Sequence, residues 1–152
     1  MHCPSAIRIA FLSTALGFTP AVNADANLDE MVMDHVLPRF DREVRVLIKN
    51  SGARYVSSNW NGETRTLVAL AEVDILGSPR LSRVALKRNS TTGFHRFKND
   101  RVGELCRHTA ANLIRRFLEK YDVTIAFVYA DKHGHADPLT AQISHHDLSA
   151  CM

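Results

Sequence analysis

The chain opens on a leader unlike everything that follows, and that leader limits what is left to fold. Arg8 is the only formal charge before Asp25, and the apolar run Ile9-Ala10-Phe11-Leu12-Ser13-Thr14-Ala15-Leu16-Gly17-Phe18 follows it. Thr19-Pro20 breaks the run, and small residues follow at Ala21-Val22-Asn23-Ala24-Asp25-Ala26. A basic start, a short apolar core and a small-residue cut site are the three parts of a secretory signal. Membrane-spanning helices need about 20 apolar residues, roughly twice this run. Cleavage is expected after Ala24 or Ala26. That assigns residues 1–24 to a signal peptide and 25–152 to one domain, with no transmembrane segment left after cleavage.

Cleavage changes the cysteine and charge counts. Three cysteines become two, Cys106 and Cys151, and in an oxidising compartment such a pair is expected to form a disulfide. Of 19 basic and 16 acidic residues only Arg8 is removed, leaving a net charge of +2. That small excess is unevenly spread. Residues 80–116 carry ten basic side chains against Asp100 and Glu104, a local +8, while residues 25–79 and 117–152 each sum to −3. The positive segment could pack beside its negative flanks and cancel. Alternatively it forms a surface for an acidic partner, using Arg83, Lys87, Arg96, Lys98, Arg101 and Arg115. Only Phe94 and Phe97 lie among these cations, so no aromatic platform for nucleic acid is expected.

Periodicity predicts an α+β fold. Leu28, Met31, Val32, His35 and Val36 suit a helix over 27–37, and Phe40, Val44, Leu47 and Ile48 carry the stripe to about residue 49 despite Pro38. Val44, Val46 and Ile48 would equally suit a strand. Asn61-Gly62 predicts a two-residue type I′ turn joining strands near 53–60 and 63–75, with Val56 opposite Leu67 and Trp60 opposite Glu63. In the second strand Leu67, Ala69, Ala71, Val73 and Ile75 alternate onto one face. Residues 81–88 read as a third strand, completing an antiparallel meander. Val102, Leu105, Cys106, Thr109, Leu113 and Phe117 mark one long helix over 100–120. A hairpin of 123–129 and 140–147 around a 131–138 turn ends the chain. The expected architecture is one antiparallel sheet, a three-stranded meander plus a C-terminal hairpin, with the helices on one face.

Histidines offer the remaining chemistry, seven of the eight lying beyond the leader. His133-Gly134-His135-Ala136-Asp137 resembles the first part of the HxHxDH motif of metallo-β-lactamase-fold hydrolases. Pro138 stands where that family has its next histidine, and only 15 residues follow Asp137. His145 and His146 cannot join this group on a paired hairpin, because they fall on the order of 20 Å from its tip. There is no GxSxG elbow, phosphate-binding loop, HExxH or CxxC. The features together predict an exported, periplasmic or secreted, non-enzymatic binding or accessory domain that needs no cofactor. Its partner would be an envelope protein or an anionic envelope component, not nucleic acid. The other reading is a metal-binding protein or metal-dependent hydrolase built on His133, His135 and Asp137.

Overall fold

The computed structural model describes residues 20–86 and 91–151. Of the predicted leader, residues 1–19 therefore lie outside the described residues. The chain runs through helix α1 (Pro20–Met31), a π-helical turn (Val32–Val36) and α2 (Leu37–Asn50), then strands β1 (Arg54–Asn61) and β2 (Thr66–Val73). Helices α3 (Pro79–Leu86), α4 (Thr91–Cys106) and α5 (Ala111–Tyr121) come next. Strands β3 (Thr124–Asp131) and β4 (Leu139–Ile143), the short helix α6 (His145–Leu148) and a 3-10 turn (Ser149–Cys151) complete it.

The fold is α+β, but the sheet is mixed. Its order is β1-β2-β3-β4, with β1–β2 and β3–β4 antiparallel and β2–β3 parallel. No third meander strand forms, because the segment expected to supply it is α3. Ser78 precedes the helix, its hydroxyl accepting from the Leu81 amide (3.4 Å), and Pro79 occupies the first helical position. Serine at the N-cap and proline just inside are strong helix-start signals, and at N1 proline loses no intrahelical bond. With a helix in place of the strand, the chain must cross back before it can pair again, and a crossover gives a parallel neighbour.

Three further expectations are revised. The β1–β2 connection spans Gly62–Arg65 instead of two residues, so Trp60 faces Leu67 and Asn61 faces Thr66. Arg65 takes the left-handed conformation (φ 48°), and a Cβ on Gly62 would meet the Asp29 carboxylate at 2.6 Å. That close approach lets the Trp60 indole N–H donate to Asp29 (2.7 Å), tying the turn to α1. A register shift between Tyr55 and Ser57 leaves Val56 exposed, since an extra residue interrupts the alternation of faces. The predicted 100–120 helix is two helices: at the break the His108 ring accepts the Ala110 amide through Nδ1 (3.1 Å). The last strand stops at Ile143, so His145 and His146 stand on α6 rather than on a strand.

One face of the sheet is the core. Leu67, Ala69, Ala71, Ile125, Phe127, Tyr129, Leu139, Ala141 and Ile143 are buried there with Val32, Val44, Ile48, Phe97, Leu105, Leu118 and Leu148 from the helices. The amphipathic stripe of 27–49 passes through Pro38, which sits in the first turn of α2, where its missing N–H costs little. On the other face Val68, Leu70, Val128 and Gln142 are half-buried to exposed, while the small Ala126 between them is buried. A disulfide joins Cys106, at the end of α4, to Cys151 in the terminal turn, with Cα atoms 5.1 Å apart.

Asp147 locks that terminal turn. Its carboxylate accepts the Ser144 amide (2.8 Å) and meets the Lys98 ammonium of α4 (2.8 Å). Burial alone would raise its pKa, but Lys98 and the Ser144 N–H outweigh it and hold Asp147 below the ordinary carboxylate range. A folded-state pKa below the unfolded one adds stability above that range, and the gain is lost as pH falls through it. Asp147→Asn should therefore lower the unfolding free energy by about 1–2 kcal/mol at neutral pH. The difference from wild type should shrink below pH about 4, read from urea midpoints across pH. An unchanged difference at pH ~2 would mean that the charge of Asp147 does not matter.

Candidate functional site

The parallel pairing creates a groove. Val73 and Asp131, the last residues of β2 and β3, lie side by side, and both chains turn away there. Ligand sites in sheets with parallel strands form at such carboxyl ends. The Asp131 carboxylate secures the end by accepting the amides of Ile75 (3.1 Å) and His135 (2.7 Å). The C-terminus of α2, the 74–78 turn and helices α3 and α4 wall in a cavity of about 660 Å3. That volume is in the range of small-molecule sites.

Arg101 of α4 lines this groove and is only 5% exposed. Nη1 donates to the Tyr129 hydroxyl (2.6 Å) and Nη2 to Glu104 (2.7 Å), while Nε has no hydrogen-bond partner among the described residues. Tyr129 Oη lies 3.3 Å from Ser51 Oγ at the end of α2. Phe97 and Tyr129 meet edge to face (ring centroids 5.2 Å apart), with the guanidinium 5.8 and 5.5 Å from the two rings. A guanidinium has five donors in a planar fork that matches carboxylate geometry. Buried against aromatic rings, it interacts with an anion far more strongly than an exposed arginine does.

The remaining charges of the groove are also paired. Arg54 bonds Glu72, Arg80 bonds Asp100, and Lys132 Nζ lies 3.8 Å from Asp74. Asp74 also accepts the Gly77 amide (2.7 Å), and a Cβ on Gly77 would meet its carboxylate at 2.4 Å and displace it. Burial pushes the Glu104 carboxyl above its ordinary range against the opposing pull of Arg101. Among the described residues the cavity thus holds four cations and four carboxylates in four pairs.

The basic residues singled out by sequence have separate fates. Arg101 is in the groove. Arg83 is exposed on α3, its Nε donating to the Pro79 carbonyl (2.9 Å). Lys98 bonds Asp147, and Arg115 pairs with Glu119 on α5 (3.3 Å). Lys87 and the side chain of Arg96 lie outside the described residues. The break at 107–110 puts Arg101 and Arg115 on different helices, and His108 contacts Glu43 of α2 (2.7 Å). His133 lies 3.5 Å from Asp74, and its ring stacks on His135 at 5.8 Å. Among the described residues, no group of three or more His, Cys, Asp or Glu, including His133, His135 and Asp137, could hold a metal ion. Sequence reading missed Glu104 and Tyr129 as partners of Arg101, and Ser51 as the partner of Tyr129. The one local signal for the groove is Asp74-Ile75-Leu76-Gly77-Ser78-Pro79, a strand end leading into a capped helix.

No family model matches the chain, and comparison with curated proteins and with solved structures likewise found no match. Among the described residues, no helix is long and apolar enough to cross a membrane.

Proposed function

We propose that this protein is an exported, non-enzymatic binding or accessory domain that recognises an acidic group on its partner with the basic segment 80–116, at the groove where Arg101 lies. The observation carrying this reading is the burial of Arg101 at a cavity with one donor nitrogen that has no hydrogen-bond partner among the described residues. A guanidinium kept from water is costly, and a fold retains one where a carboxylate or similar oxyanion must be recognised. Export rests on the leader, residues 1–24, and places the partner in the envelope or outside the cell. No nucleophile–base pair accompanies the groove in the sequence patterns, which favours binding over catalysis.

Titration with the acidic peptide N-acetyl-triglutamate amide, followed by amide NMR, tests the reading. Saturable shifts should cluster at Gly77, Phe97, Arg101 and Tyr129 and weaken as salt rises from about 50 to 300 mM. Shifts scattered over the surface, or none at all, would contradict it.

A further inference from the structure

We infer that the groove takes a zwitterion: an α-amino acid or short peptide whose free carboxylate meets Arg101 while its free ammonium meets Glu104. The inference rests on the binding role proposed above and narrows it to a ligand class. Its basis is the charge balance of the cavity. Among the described residues, all four cations lining it are matched by carboxylates already in place. A ligand with negative charge alone can reach Arg101 only by competing with Glu104, which then stays half-buried without its counter-ion. That rearrangement costs a purely anionic ligand part of its affinity, so such a ligand binds, but more weakly than one carrying both signs.

A ligand carrying both signs avoids this cost. Inserted into the Arg101–Glu104 contact, now 2.7 Å, it replaces one ion pair by two and leaves the groove neutral. The Tyr129 hydroxyl accepts from the guanidinium and can turn its own proton from Ser51 Oγ to the ligand's carboxylate. Leu81 and Phe97 line the same cavity and supply an apolar wall for a ligand side chain. At about 660 Å3 the space exceeds what one amino acid fills, so short peptides are included.

The test uses the disulfide-bonded protein and amide NMR, with the Gly77 amide and the Arg101 Nε–H as reporters. Probes are L-alanine, L-alanyl-L-alanine and tri-L-alanine, and the same peptides N-acetylated or C-amidated. Comparing the three lengths separates a free amino acid from a peptide as the natural source. Free-termini probes should shift both reporters saturably, and either cap should weaken binding at least tenfold. Glu104→Gln should specifically erase the discrimination against the N-acetyl cap, an effect that mere loosening of the fold would not produce. Equal binding of N-acetylated and free peptides would overturn the zwitterion and leave the acid-binding role standing. Equal binding of amidated peptides would overturn both, as would no response to these probes or to acetyl-triglutamate amide.

Discussion

Replacing Arg101 by methionine should destabilise the fold by about 3 kcal/mol at neutral pH. The side chain is buried, and its removal strips Glu104 of its counter-ion and Tyr129 of its donor. Methionine fills most of the volume, so the cost is chiefly that of stranded polar groups rather than of a cavity. The loss should depend on pH in a definite direction. Glu104 already titrates above the ordinary carboxylate range, because burial disfavours its charged form. Without Arg101 it should rise further, and protonation then relieves the strain. The penalty is therefore full at neutral pH and shrinks as pH falls through the raised Glu104 pKa towards about 4. Urea unfolding of both proteins between pH 4 and 8 reads this directly. A constant penalty across that span would show that the charge on Glu104 plays no part.

Removing the disulfide should have an effect of similar size. Cys106 and Cys151 are separated by 45 positions, and closing a loop of that length is worth about 4 kcal/mol in the chain-entropy model. The bridge fastens the terminal turn and α6, whose Leu148 is fully buried in the core, to the end of α4. A Cys106→Ala/Cys151→Ala protein should lose about 3–4 kcal/mol in urea unfolding. Its midpoint should not respond to dithiothreitol, whereas the wild type in reductant should fall to the variant's value. A variant within about 1 kcal/mol of the oxidised wild type would show that the terminal turn is held by packing alone.

Much of the architecture was legible because its signals are local. The alternation of Leu67, Ala69 and Ala71 needs only a period of two, and all three are buried as that pattern requires. The stripe through Val44 and Ile48 continues past Pro38 because a first-turn proline leaves the helix intact. The pairing of Cys106 with Cys151 matches the expectation from counting the cysteines beyond the predicted leader. Residues 81–86 are helix and not strand: Leu81, Arg83 and Ala85 alternate as a strand would, whereas Ser78-Pro79 ahead of them sets a helix start. The capping chemistry outweighed the short alternation. Losing that strand made β3 parallel to β2, which no local pattern announces.

The groove was the least legible feature, for the same reason. Arg101 meets Tyr129 across 28 positions and Ser51 meets Tyr129 across 78, contacts that exist only once β2 and β3 run side by side. Sequence identified Arg101 as one cation in a basic run. It gave no reason to separate this arginine from Lys98, which bonds Asp147 on α6, or from Arg115, which pairs within α5.

A double variant, Arg101→Met with Glu104→Leu, separates recognition from stability most directly. Exchanging a whole buried ion pair for apolar side chains is often close to neutral for stability. Its unfolding free energy should fall within about 1 kcal/mol of wild type, while its affinity for acetyl-triglutamate amide and for L-alanyl-L-alanine drops at least tenfold. A double variant that binds both as tightly as the wild type would show that this charged pair recognises nothing.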